Sequence, residues 1–186
     1  MTIPELLSEV GIKHWCVLRA DKHLIETFPL AKSIIVFYIP FTGLTRNNIH
    51  FKVFEAFSKA AEVGVYLAKR LLEENVFACY IPPFAEVVPL EKYAARGGLG
   101  VVGRSGWLVS PEYGPRVVVA GVVTGLEFEK TTLLKDFNPC KDCFACVAFC
   151  PQDAIGLNSV KRYKCTYCFR CVLVCPVGMI YNEEFI

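Results

Sequence analysis

The chain has 186 residues, 54% of them apolar, and a formal charge of +2. This suits a single core-forming domain, or a domain of about 130 residues with a small appendage. The near-balanced charge argues against a general nucleic-acid binder. No apolar run reaches the roughly 18 to 20 residues that span a membrane.

Met1-Thr-Ile-Pro-Glu lacks a basic region followed by an apolar core, so no secretory signal is expected and the location is expected to be cytoplasmic. Ile3–Val10 reads as a short opening helix, with Pro4 tolerated in its first turn. Ser33–Ile39 is a β-rich run without alternation, expected as a strand buried on both faces. A polar loop over 40–48 leads into the clearest helix, Phe51–Glu74. There Phe54, Phe57, Ala61, Val65, Ala68 and Leu72 recur at three and four and form the predicted core face, with charges largely between them. Val76–Ile81 is a second strand, stopped by Pro82-Pro83, and Pro89–Arg96 is helical. Trp107–Ser110 and Arg116–Thr124 read as strands joined by a turn at 111–115. A charged connector follows. The order predicts an α+β or α/β sheet domain over 1–130 and a second unit over 131–186.

Gly98, Gly100 and Gly103 formally match G-x-G-x-x-G. A dinucleotide fingerprint must follow a strand and open a helix, whereas here a helix precedes and a strand follows. Two readings of the loop stand level. It is a glycine-rich turn, or it lets the backbone of Gly98, Gly100, Gly103 and Gly106 approach a large flat ligand, with donors from Arg104 and Ser105.

The second unit carries two near-identical strings. Cys140, Cys143, Cys146 and Cys150-Pro151 form the first; Cys165, Cys168, Cys171 and Cys175-Pro176 form the second. Each is C-x2-C-x2-C-x3-C-P, the bacterial ferredoxin run for a [4Fe–4S] cluster. Three cysteines spaced three apart can wrap one face of a cubane, and in two-cluster ferredoxins the fourth ligates the other cluster. The expected sets are Cys140, Cys143, Cys146 and Cys175 for one centre, and Cys150, Cys165, Cys168 and Cys171 for the other. Structural zinc sites and disulfides fit this regularity poorly. With eight thiolates and two 2+ cores the loaded chain falls to a charge of about −2. Lys161, Arg162, Lys164 and Arg170 form a basic patch beside the second string, read as solvated, charge-compensating surface or as a docking site for an acidic electron donor.

The segment 91–114, with Gly98-Leu-Gly100-Val-Val-Gly103-Arg104, resembles the glycine-rich stretch of epoxyqueuosine reductases. In that family a strand that ends on a Gly and a Thr, and then a two-cluster module, follow, as Val118–Thr124 and the cysteine strings do here. The resemblance covers roughly Ser33 to Pro176. It implies an α+β domain like that of flavin nitroreductases, carrying cobalamin, with a C-terminal two-[4Fe–4S] ferredoxin module that feeds electrons to the cobalt. A flavin is the alternative cofactor. The implied partners are a low-potential electron donor protein and a small-molecule substrate; the charge balance and the short apolar runs argue against nucleic acid and a membrane. This chain departs from the family in being far shorter. No Asp stands where the family's proton donor lies, and Glu86 is the candidate in its place. The rival reading is a non-catalytic ferredoxin-type carrier or subunit whose N-terminal domain docks a redox partner. His14, His23 and His50 are too scattered for a metal site, and Cys16 and Cys79 read as small apolar residues. Tyr38, Tyr80, Tyr93 and Tyr113 are potential proton donors.

Overall fold

The computed structural model describes residues 2–132, 134–157 and 159–179. The end of the predicted second unit, 180–186, lies outside them. The strands are β1 (Trp15–Arg19), β2 (Ser33–Pro40), β3 (Ala78–Ile81), β4 (Val101–Val102), β5 (Leu108–Val109) and β6 (Val117–Thr124). The α-helices are α1 (Ile3–Glu9), α2 (Lys22–Thr27), α3 (Ile49–Glu73), α4 (Leu90–Arg96), α5 (Ala145–Ala148) and α6 (Arg170–Leu173).

The main sheet has the order β1-β2-β6-β3, and its pairings are antiparallel, which makes the fold α+β. β2 and β6 occupy its centre with helices on both faces. One face packs Ile35, Phe37, Ala120 and Val122 against α3 residues such as Ala60, Val63 and Leu67. The other packs Ile34, Val36, Val119 and Val123 with Tyr93 and Ala94 of α4. Burial on both faces explains why neither central strand alternates in sequence, although the sheet is antiparallel. Among the described residues no helix is long and apolar enough to cross a membrane.

α3 corrects the predicted core face. Its buried stripe is Ile49, Val53, Ala56, Ala60, Val63, Gly64, Leu67, Ala68 and Leu71. Of the predicted set only Ala68 is buried; Phe54, Val65 and Leu72 are 66, 55 and 54% exposed. Both stripes repeat at helical spacing, so periodicity cannot choose between them. Side-chain size does: Ala56, Ala60 and Gly64 let the helix lie close to the sheet. A Cβ at Gly64 would come within 2.2 Å of the Tyr80 ring. Leu67→Ala is therefore expected to cost about 2–5 kcal/mol, and Leu72→Ala within about 0.5 kcal/mol. Urea melts of both variants test the assignment, and equal losses would contradict it.

Strand pairing adds a feature that the sequence pattern leaves open. β5 pairs with β4, not with β6, so the glycine loop closes into its own two-stranded hairpin. The turn after β5 is held by a bridge between Ser110 and Gly114. Sequence pattern also passes over β1 and α2. β1 is the sheet edge, where it meets Lys130 of the connector through reciprocal Val17–Lys130 backbone bonds of 2.8 Å.

Candidate metal centres and the adjoining loops

Two cavities lie where the cysteine strings meet the hairpin. One is lined by Cys140, Cys143, Cys146 and Cys175, with Arg104 and Val109 of the hairpin region. The other is lined by Cys150, Cys165, Cys168 and Cys171, with Trp107 and Arg162. Cys171 also borders the first cavity. Each string thus sends three cysteines to one cavity and its last cysteine, the one before proline, to the other. Short helices α5 and α6 carry the third cysteine of each string. Tyr167 and Phe169 flank Cys168 with φ of 52° and 54°, a left-handed bend that keeps the second loop wrapped.

Among the described residues no three His, Cys, Asp or Glu side chains gather so as to hold a single metal ion. Each cavity is bordered by the four sulfurs of one crossed set, the donor type of an iron–sulfur centre. The electrostatics agree. Burial, then the neighbouring Cys140, Cys175 and Cys143 sulfurs, pushes the Cys146 thiol up to about 11. Burial likewise pushes Cys171 up to about 12, opposed by a hydrogen bond with the Trp107 side chain. Thiolates crowded in a low dielectric need a cationic core between them.

The glycine loop lies against the first cavity. A Cβ on Gly103 would stand 3.7 Å from the Cys140 sulfur. Ser105 borders both cysteine cavities. Arg104 directs its donors to the cysteine loop: Nε to the Cys143 carbonyl at 3.3 Å and Nη2 to the Cys140 carbonyl at 2.8 Å. Nη1 bonds the Leu157 carbonyl, and the guanidinium lies 4.3 Å over the Phe144 ring. Gly98 and Gly100 pack on the chain's own backbone: a Cβ there would meet Thr132 O at 1.6 Å and Val109 O at 2.4 Å. Gly103, Arg104 and Gly106 line a third, wider cavity of about 770 Å³ together with Lys92, Lys141 and Arg162.

Glu86 is exposed on the turn before α4 and lines none of these cavities. Of the tyrosines, Tyr93 donates to Asp21 at 2.7 Å. Tyr38 stacks on His14 at 4.7 Å and meets Tyr113 edge-on. Burial pushes Tyr38 and Tyr93 well above the ordinary phenol range, and Tyr80 up to about 12. Cys16 is buried, its thiol pushed up to about 12 by desolvation, an inert core sulfur.

Sequence pattern misses two features. One is an aromatic cluster: Trp107 at 5.2 Å from Phe84 and 6.0 Å from Phe169, with Tyr167 beside them. Phe84 holds φ at 63°, an uncommon state for an aromatic residue. The other is Arg116, a wholly buried cation whose only sequence signal is a charge at the head of an apolar strand.

Comparison with known proteins gives the class of the second unit first. Residues 132–176 match the 4Fe-4S dicluster domain. The chain is also similar to epoxyqueuosine reductase of Lactococcus garvieae, 45% identical over 62 residues, which are 33% of this chain and 17% of that protein. The match therefore spans less than a fifth of the relative's length. The fold is shared with epoxyqueuosine reductase from Streptococcus thermophilus, with a TM-score of 0.69 and 17% identity, over 99% of this chain and 67% of that one. It is shared equally with a reductive dehalogenase whose structure bears on B12-dependent dehalogenation, with a TM-score of 0.79 and 19% identity, over 93% of this chain and 31% of that one. The chain is thus an iron–sulfur protein with the fold of these two groups of reductases.

Proposed function

We propose that the chain is an iron–sulfur reductase with two [4Fe–4S] centres, working with a cofactor on its sheet domain, a corrinoid first and a flavin second. The observation that carries the reading is the pair of four-cysteine cavities set directly against the glycine hairpin. In this reading the sheet domain is 1–130, of the flavin-nitroreductase kind, and the cluster module is 131–186. The centres, when bound, supply one-electron transfer, and a corrinoid supplies a reducible metal.

The chain's own residues have separate tasks in this scheme. The eight cysteines hold the centres in the crossed sets given above. Trp107, Val109 and Phe169 exclude water from the cavities. Ser105 stands between the two sets. The wide cavity beside Gly103 and Gly106, about 770 Å³, falls in the upper part of the roughly 300–1,000 Å³ of small-molecule sites, which leaves room for part of a large cofactor. Lys92 and Lys141 suit an anionic group on it. The basic segment 161–170 gives an acidic, low-potential donor protein a surface beside the second centre.

A second reading, a non-catalytic electron carrier, is favoured by two particular observations. Gly98 and Gly100 are filled by the chain itself, and Glu86 stands apart from the cavities. An anaerobic titration of cluster-loaded protein with cob(II)alamin, followed by EPR, separates the two. The reductase reading expects the cobalt signal to become a protein-bound, base-off form at stoichiometric protein. An unchanged cobalt spectrum over intact clusters would rule out the corrinoid and leave a flavin or the carrier.

A further inference from the structure

Arg116 stands just before β6, and its residue is 0% exposed, the bulkiest of the fully buried side chains. It reaches out of the sheet domain into the end of the second cysteine string. Nη1 donates to the Val177 carbonyl at 2.6 Å, and Nη2 to the Cys175 carbonyl at 3.0 Å and the Leu173 carbonyl at 3.4 Å. The guanidinium also interacts electrostatically with the Cys175 sulfur. The same two segments touch backbone to backbone on either side of it. A Cβ on Gly114 would lie 2.0 Å from Val177 O, and one on Gly178 would lie 2.3 Å from the Tyr113 carbonyl carbon.

Burying a guanidinium is expensive unless hydrogen bonds and opposite charge offset it. The Val177, Cys175 and Leu173 carbonyls supply bonds and partial negative charge. A centre with four thiolates and a 2+ core carries a net charge of about −2, and about −3 after taking one electron. A fixed cation in a poorly screened interior favours the more negative state. The same fork, planar and two-pronged, sets the direction of the Cys175-Pro176 turn.

We propose that Arg116 is the positioning residue and built-in counter-charge of the centre held by Cys140, Cys143, Cys146 and Cys175, fixing the crossed Cys175 ligand and raising that centre's reduction potential. The inference rests on the two-centre reading above, so the first arm of its test is the wild-type protein. Iron content and reduced-state EPR of reconstituted wild type must give two centres. Fewer would defeat that reading and the assignment built on it.

The second arm is a redox titration with dithionite of loaded wild type and Arg116→Gln, monitored by EPR. Cys146→Ser, which removes the centre beside Arg116, identifies which wave belongs to it. At a fixed poise the reduced-to-oxidised ratio of the first centre is expected to fall at least tenfold, or about 59 mV for a one-electron couple. The ratio of the second centre should move less than twofold. No shift, or equal shifts at both centres, would overturn the proposal while leaving two centres in place.

If the glutamine variant fails to fold or to hold the first centre, Arg116→Lys decides. It keeps the charge and loses the fork. Its first centre should hold a ratio within twofold of wild type but lose iron to a chelator at least tenfold faster. A wild-type rate of iron loss, or a tenfold fall in the ratio, would overturn the proposal.

Discussion

Cys146→Ser is expected to remove one centre and spare the other, taking iron from about eight to about four per reconstituted chain. A serine hydroxyl is a harder, less acidic ligand than a thiol, and Cys146 lines its cavity with Cys140, Cys143 and Cys175 of the same expected set. The pairing predicts more than the count. Cys175→Ser should damage the same centre as Cys146→Ser, although 29 positions separate the two. Cys150→Ser, only four positions from Cys146, should damage the centre held by Cys165, Cys168 and Cys171. Iron analysis with EPR of the reduced proteins reads both results. If Cys150→Ser and Cys146→Ser removed the same signal, the crossed arrangement would be wrong. Retention of both centres in Cys146→Ser would remove that residue from the ligand set.

Gly98→Ala is expected to destabilise the protein by about 2–5 kcal/mol, with no ligand involved. Two terms add. Its φ of 82° lies in the left-handed region, which costs an L-residue about 1–2 kcal/mol. The new Cβ would also stand 1.6 Å from the Thr132 carbonyl oxygen, a backbone atom that cannot swing aside. Moving it disturbs the Thr132 N–H bond to the Gly97 carbonyl, which ties the connector to the sheet domain. Gly106→Ala isolates the first term. Its φ is also 82°, but its Cβ would meet nothing nearer than the Val160 side chain at 3.4 Å. It should therefore lose only about 1–2 kcal/mol. Denaturant melts of the two apo-proteins provide the comparison. Similar losses would show that crowding at Thr132 is relieved cheaply.

These cases show which features can be read from the chain. Cysteine spacing is legible because ligation imposes a fixed local geometry on each string. β2 and β6 are legible because helices on both faces demand unbroken apolar runs. The buried side of α3 is not, since Phe54, Val65 and Leu72 are as apolar and as periodic as Val53, Val63 and Leu67. Only the sheet's need for close approach at Ala60 and Gly64 breaks the tie. β1 and α2 are short, and their signals are faint. Asp21 caps α2 by accepting from Leu24 N–H, but six helical residues leave little periodicity to detect. The glycine loop admits two readings in sequence because a glycine is needed equally for a ligand's approach and for the chain's own. The structure fills Gly98 and Gly100 with protein and leaves Gly103 and Gly106 beside the wide cavity. Arg116 leaves only a charge at the head of an apolar strand as its signal, and the backbone carbonyls it bonds lie some 60 positions away.

The two arginines that reach from the sheet domain into the cysteine strings have a consequence for building hybrids. Arg104 grips the first string and Arg116 the end of the second. A graft that exchanged only the stretch from the connector onward would inherit loops shaped for a different host. A transplant that also carries 97–116, the hairpin and both arginines, should accept the foreign metal carrier, whereas the shorter graft should express as a colourless protein.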